Sequence, residues 1–327
     1  MKLSIIIPVF NVEDYLEACL HSLFDHSVPK DEFEVIIVND GSPDRSIDIA
    51  KLYANQHSNI RILEQDNQGL SAARTNGLGL AKGDYVWFVD SDDWLLSQGL
   101  PTVINDINKY SDADVLSYPL LRVYEMEQRD NHPDYQVKDE AVFPGKEVLQ
   151  NRIVPVFAIQ RFVIQRRLFS DSYLCFPTGL LFEDEYFGRV LLYIAKKVFT
   201  SNRPVYAYRQ RSGSITTVLN VYSASDLLKI HQLLLSFREY RVLPEDKRWF
   251  EKDVLRLLRS SFTRNEKLYL TKEFKSFRRQ HLPYILKEYR IYGASLSFAE
   301  WLSDISLFLF PVLHTRLYYL FEPLIRG

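Results

Sequence analysis

Leu3-Ser4-Ile5-Ile6-Ile7-Pro8-Val9-Phe10 is a nearly unbroken apolar, β-branched run. Such a run, without polar alternation, marks a strand covered on both faces of a parallel sheet. Working outward from it, Val12, Tyr15, Leu16, Cys19, Leu20 and Leu23 recur at spacings of three and four, which predicts a helix with one apolar face to lay on that sheet. A second apolar run, Val35 to Val38, ends at Asn39-Asp40-Gly41-Ser42. Strand, helix and strand in that order make a right-handed crossover. The alternation continues with a strand at Ile60 to Leu63, a helix at Leu70 to Ala81 and a buried strand at Tyr85 to Val89. The pattern predicts an α/β fold with a doubly wound, mostly parallel, Rossmann-like sheet. Ligands of such sheets collect beyond the carboxyl ends of the strands, where Asp40 and Asp90 both stand.

Farther along, the spacing predicts a helix from Gln98 to Tyr110, a strand around Val115 to Tyr124 and a loop from Gln128 to Glu140. Strand-like runs at Ala158 to Phe169 and Val205 to Arg209 bracket a helix that begins after Phe182. The sheet domain is expected to cover 1–217, with a helical region over 218–327. Helices are expected near Ala224 to Arg241, Glu245 to Phe262 and Lys272 to Tyr289, followed by a last apolar segment from Trp301 to Leu324. Ile305 to Leu313 is broken by Pro311 and falls short of the roughly 20 apolar residues that a bilayer crossing needs.

The 327 residues carry 25% charged and 46% hydrophobic side chains, ordinary proportions that suggest neither disorder nor a fibrous class. The net charge of −2 hides an asymmetry. From Asp226 onward there are 18 Lys+Arg against 12 Asp+Glu, leaving 22 against 30 before it. The basic surface therefore belongs to the tail, where it serves either a solvated helical face or an anionic membrane or polyanionic acceptor. Cys19 and Cys175 are the two cysteines, too few for a disulfide framework or a thiolate metal site. The apolar run of MKLSIIIPVF ends at Pro8, too short for a signal peptide core, so a cytoplasmic location is the default expectation.

Three motifs carry chemistry. In Phe88-Val89-Asp90-Ser91-Asp92-Asp93, three carboxylates within four residues repel one another and call for a positive partner. Mg²⁺ or Mn²⁺, which takes carboxylate oxygens together with a substrate phosphate, suits them; so does a helix-capping role. In Val38-Asn39-Asp40-Gly41-Ser42, Asp40 can accept from the N–H of a pyrimidine base or close an Asx turn. In Asn67-Gln68-Gly69-Leu70-Ser71-Ala72-Ala73-Arg74-Thr75-Asn76-Gly77, Arg74 can offer its planar fork to a base or phosphate, or be a surface residue. Gly77, Gly79 and Gly83 imitate a dinucleotide fingerprint, but they stand at a helix end before a strand, the wrong order for that motif.

Taken together, IIIPVFN, VNDGS, the Asn67–Gly77 segment and FVDSDD resemble the inverting family 2 glycosyltransferases of the GT-A fold, as found in bacterial capsular and exopolysaccharide synthesis. The resemblance runs from Met1 to about Thr217. It implies a hexosyl- or N-acetylhexosaminyl-transferase that uses a nucleotide-sugar donor, with Asp40 holding the base between Pro8 and Phe10, where many relatives carry Tyr. Asp90, with Ser91 beside it in the DxD pattern, would contact ribose or phosphate, Asp92 would bind Mn²⁺ or Mg²⁺, Asp93 would orient the metal shell and Arg74 would assist the nucleotide. The run Gly179 to Phe187 resembles the family's Glu-Asp pair before a helix, which makes Asp184 the expected general base and Glu183 the second choice. Tyr208-Arg209-Gln210-Arg211-Ser212-Gly213-Ser214 resembles a basic segment closing over the diphosphate, with Arg209 and Arg211 offsetting leaving-group charge.

The expected partners are a UDP-sugar donor, a glycan or lipid-linked acceptor and a peripheral membrane surface at the inner face of the cell membrane; no nucleic acid is expected. Between Lys247 and Arg279 there are 11 Lys+Arg against 4 Asp+Glu, and aromatics crowd Trp301 to Phe321, the mixture of an interfacial helix or of a buried packing face. A sugar nucleotidyltransferase is disfavoured, because Pro8, Phe10 and Asn11 stand where its Gly-rich, basic loop would be. A catalytically silent GT-A-like binding subunit is the rival outside enzymes.

Overall fold

The computed structural model describes residues 1–124, 132–154, 157–210, 221–263, 268–311 and 314; of residues 221, 222 and 299 it describes the backbone. It forms two compact units, Met1–Gly179 with Glu183–Ser212, and Leu180–Phe182 with Gly213–Gly327.

The first unit begins with β1 (Leu3–Val9), α1 (Glu13–Ser22), β2 (Phe33–Asp40), α2 (Ser46–Gln56), β3 (Ile60–Gln65), α3 (Leu70–Leu80) and β4 (Tyr85–Phe88). Every residue of β1, β2 and β4 is buried, as unbroken apolar runs demand. There follow β5 (Trp94–Leu95), α4 (Gly99–Lys109), β6 (Val115–Ser117), β7 (Leu120–Tyr124), β8 (His132–Pro133), β9 (Ala141–Phe143), α5 (Gly145–Gln150), β10 (Phe162–Gln165), α6 (Glu183–Ile194), β11 (Val198–Thr200) and β12 (Tyr206–Gln210). The main sheet runs β3-β2-β1-β4-β10-β6-β11-β9 and a second sheet runs β5-β12-β7-β8. The first four strands of the main sheet are parallel.

Three stretches differ from expectation, and the expected loop Gln128 to Glu140 is one of them, since β8 pairs there with β7 at Arg122↔His132. Val115 to Tyr124 is two strands in two sheets, because Pro119 has no N–H to continue a ladder, and Tyr118 N instead reaches Arg161 O at 3.0 Å. Of Ala158 to Phe169, only β10 is strand. It runs antiparallel between β4 and β6, flanked by 3-10 turns at Ile159–Arg161 and Arg166–Ser170.

Pro8 sits inside a central strand without breaking it. The ladder with β4 ends at Ile6↔Phe88, and Val89 N donates to Ile6 O at 3.0 Å, so Ile6 faces β4. Pro8, two residues on, faces the same side beyond the end of the paired β4 residues, where its missing N–H removes no ladder bond.

The second unit is helical, with α7 (Val221–Arg241), α8 (Lys247–Thr263), α9 (Lys272–Tyr292) and α10 (Phe298–Leu309). Leu228, Leu258, Phe262, Phe274, Ile285 and Phe308 are among the residues that form its core. Asp304 is buried in it, pairing with Arg259 and accepting from the Tyr289 hydroxyl at 2.8 Å. Ser297 and Glu300 close a capping box at the start of α10. Among the described residues, no helix is long and apolar enough to cross a membrane.

Two of the three glycines that imitate a fingerprint, Gly77 and Gly83, are explained by packing. A Cβ on Gly77 would lie 2.6 Å from Ile6 Cγ2, and one on Gly83 would lie 2.5 Å from Ser4 N, so both α3 and the turn into β4 rest directly against β1. A Cβ on Gly79 would meet nothing within 4 Å. Gly83→Ala is therefore expected to lower stability by about 1–3 kcal/mol through overpacking against backbone, whereas Gly79→Ala should raise it by about 0.5–1 kcal/mol through helix propensity. Urea denaturation of the two variants checks both signs, and equal shifts would contradict the close approach at Gly83.

Candidate active site

Beyond β4 the chain turns sharply, with Asp93 N donating to Asp90 O at 3.2 Å. This acidic turn is strapped from behind by β12. The Tyr206 hydroxyl donates to Asp93 Oδ2 at 2.6 Å and accepts from Asp90 N at 3.1 Å. Arg209 N donates to Asp93 Oδ1 at 2.8 Å. Asp93 is buried, and burial, followed by the charges of Asp92 and Asp90, pushes its carboxyl well above the usual carboxylate range. Asp93 was expected in the metal shell; both its oxygens are instead engaged in fastening β12 to the turn. Ser91 is buried, while Asp92 is half-buried.

Asp90 meets the group that three adjacent carboxylates call for. Arg74, only 2% exposed, donates to Asp90 Oδ1 at 3.0 Å and to Glu183 Oε1 at 2.5 Å. Its guanidinium also stands 5.5 Å from the Phe176 ring centroid. Burial works against the Arg74 charge, and the two carboxylates outweigh it. Gln160 donates to Asp90 Oδ2 through its side-chain amide, and its backbone O accepts from Trp87 Nε1 at 2.6 Å. Arg74 is thus an internal bridge rather than a surface residue, joining α3, the acidic turn and the first turn of α6. Its Nε has no hydrogen-bond partner among the described residues.

The bridge sorts the Glu-Asp pair. Glu183 is tied to Arg74 and so fastens the first turn of α6, and Asp184, the expected base, stands half-buried beside it. Phe182, just ahead, has a φ of 62°, a left-handed conformation rare for an aromatic residue and typical of strained functional turns.

Asp40 closes no turn of its own. Its Oδ1 accepts from Gln65 Nε2 and Gln68 N, and its Oδ2 from Gly69 N, each at 2.8 Å. These three bonds hold the segment that leads into α3 against the end of β2. Because a carboxylate has about four lone-pair sites, one remains for a donor N–H. Pro8 is buried at the end of β1, and Phe10 is exposed by 48%, with its ring presented to solvent. Arg209 lies against the acidic turn: its Nε donates to Asp92 O at 2.7 Å, and its guanidinium carbon is 4.6 Å from the Trp94 centroid and 5.0 Å from that of Tyr15. Arg211 lies outside the described residues.

The donor set fits a divalent cation of one kind only. Among the described residues, no three His, Cys, Asp or Glu side chains converge into a metal cage, and Asp90 and Asp93 have given their oxygens to protein donors. Mg²⁺ and Mn²⁺ are commonly held by one or two carboxylates, with the remaining ligands from substrate phosphates and water, and half-buried Asp92 fits that role. Gln160 and Tyr206 were missed by sequence reading. Each sits in an apolar run, with no motif to mark it.

A parallel crossover sheet with acidic residues beyond its strand ends is the layout of a nucleotide-binding transferase. The sequence profile described as Glycosyl transferase family 2 matches residues 4–189. Glycosyltransferase GlyA of Streptococcus pneumoniae serotype 4 is 33% identical over 225 residues, covering 66% of this chain and 32% of GlyA. EpsJ of Bacillus subtilis, a glycosyltransferase by name, is 30% identical over 221 residues, covering 66% of this chain and 63% of EpsJ. The chain therefore spans about a third of the first relative and less than two thirds of the second. TarS 1-349 of S. aureus, solved in complex with UDP-GlcNAc, superposes with a TM-score of 0.62 at 22% identity, over 91% of this chain and 93% of that one. A mannosyltransferase from Pyrobaculum calidifontis, solved with GDP-Man and Mn²⁺, superposes with a TM-score of 0.56 at 16% identity, over 95% of this chain and 87% of that one. The fold is the GT-A type expected from the sequence, and the chain belongs to glycosyl transferase family 2.

Removing one partner of a buried ion pair leaves the other charge uncompensated. Arg74→Met is accordingly expected to cost about 3–5 kcal/mol of folding free energy. Arg74→Lys should recover only part of it, since a point charge cannot span two carboxylates. Chemical denaturation measures this, and an Arg74→Met variant within about 1 kcal/mol of the parent would contradict the bridge.

Proposed function

We propose that the chain transfers a sugar from a UDP-sugar, with inversion, to a hydroxyl of a glycan or lipid-linked acceptor in surface polysaccharide synthesis, acting in the cytoplasm. The observation that carries the reading is the Arg74 bridge, 3.0 Å from Asp90 and 2.5 Å from Glu183. It couples a donor-side acidic turn to the acid-rich first turn of α6, the pairing that a two-substrate transfer requires. The likeness to TarS, solved with UDP-GlcNAc, supports a uridine donor.

In this reading Phe10 stacks on the uracil, Asp40 accepts from its N–H, and Pro8 shapes the floor. Asp92 would hold Mg²⁺ or Mn²⁺, which would supply positive charge to a bound diphosphate. The acceptor oxygen attacks the sugar carbon from the face opposite the diphosphate, the new C–O bond forming as the bond to the diphosphate oxygen breaks. The hydroxyl proton passes to the Asp184 carboxylate, and the departing UDP keeps the bonding electrons, its charge offset by Arg209 and Arg211.

Nucleotide release across a panel of UDP-, GDP- and dTDP-sugars is expected to favour a UDP-sugar. Asp92→Ala should abolish UDP release, and undiminished release with Mn²⁺ or Mg²⁺ present would sink the assignment. Asp184→Asn should lower kcat by about 10²–10⁴-fold with donor affinity kept, the usual contribution of a general base. Calorimetric UDP binding without any hydrolysis or transfer would instead favour a silent binding subunit.

A further inference from the structure

In the second unit, α9 and α10 run antiparallel: Arg278 near the start of α9 donates to Leu309 O at the end of α10 at 2.7 Å, and Gly293, just past α9, lies against Trp301. Lys275, Arg279, Leu282, Leu286 and Arg290 recur at i, i+4, i+7, i+11 and i+15 and therefore share one face of α9. Phe298, Trp301, Ile305 and Leu309 recur likewise on α10. The two rows line consecutive cavities of about 700 and 630 Å³, which together form one groove along the helix pair.

Two features of this groove are unlike an ordinary solvated face. Among the described residues its charged lining is cationic, with Lys275, Arg278, Arg279 and Arg290 and no carboxylate, and of the acids on α10, Asp304 is paired to Arg259 and Glu300 to Lys252. Its two ends also carry protruding apolar side chains, Leu270 (70% exposed) and Phe310 (60%) at one, Phe298 (77%) and Leu302 at the other. Single exposed apolar residues mean little, but pairs flanking a cationic groove form a patch.

We infer that this face docks the protein on an anionic lipid bilayer, with Lys275, Arg279 and Arg290 meeting lipid phosphates and Leu270, Phe298 and Phe310 entering the acyl boundary. Apolar residues that protrude at the ends suit a soft interface, where they enter the headgroup region while the cations between them stay at phosphate level.

Sedimentation of the full chain with vesicles tests this. Binding is expected to phosphatidylcholine vesicles containing about 30% phosphatidylglycerol and not to phosphatidylcholine alone, and to weaken with salt. Lys275→Gln/Arg279→Gln should weaken it about 25-fold, near fivefold for each cation lost, and Phe298→Asp should abolish it. All three positions are exposed, so unchanged thermal unfolding is expected and separates lost docking from lost folding. Brominated lipid should quench tryptophan emission in the parent and much less in Trp301→Phe. No binding to anionic vesicles, binding unaltered in the double variant, or tighter binding of a soluble acidic amphipathic Leu/Glu helix than of vesicles would each overturn the inference. UDP release in detergent-free solution does not depend on it, so its failure leaves the proposed transfer intact.

Discussion

A buried guanidinium has to be answered by carboxylates, and the arrangement of the site depends on how Arg74 is answered. Five donors in a rigid fork cannot be left dry without large cost. Arg74 comes from α3, Asp90 from the end of β4, and Glu183 from the first turn of α6. Meeting its needs brings together three segments, the outermost of them 109 residues apart in the chain. Ser71, three residues earlier on α3, strengthens the link by donating to Pro177 O at 2.9 Å.

The same scarcity of partners shapes the acidic turn. Three carboxylates in four residues cannot all be ionised and dry. Asp90 takes a cation, Asp93 takes hydrogen bonds from β12 and is pushed toward its protonated form, and Asp92 keeps contact with solvent. Three chemically identical side chains thus acquire three different tasks through burial and neighbours alone. Pro8 lies on the β4 side of β1 just past the last ladder bond, at the point where the site begins.

How far the fold was legible varied with the strength of the local pattern. β1, β2 and β4 read clearly because strands buried on both faces are written in unbroken apolar residues, and α9 read clearly because its spacing persists over 21 residues. Ala158 to Phe169 read as a single strand because a short apolar run carries no period that separates strand from 3-10 turn. The antiparallel placement of β10 between β4 and β6 leaves no trace in its own residues. Within the site, Asp40 and Asp90 were legible through topology, since both follow strands. Arg74 was singled out as a recognition residue, but its burial was not foreseen, and Gln160 and Tyr206 were invisible.

The order of strands and helices from β1 to β4, the positions of Asp40 and Asp90 beyond strand ends, and the family itself were determined by the sequence, because periodicity and spaced motifs are properties of neighbouring residues. Which carboxylate is paired, which is buried and which faces solvent was decided only by tertiary structure. Those states depend on groups such as Arg74, Tyr206 and Gln160 that approach from distant segments, and on a local dielectric that no stretch of sequence contains.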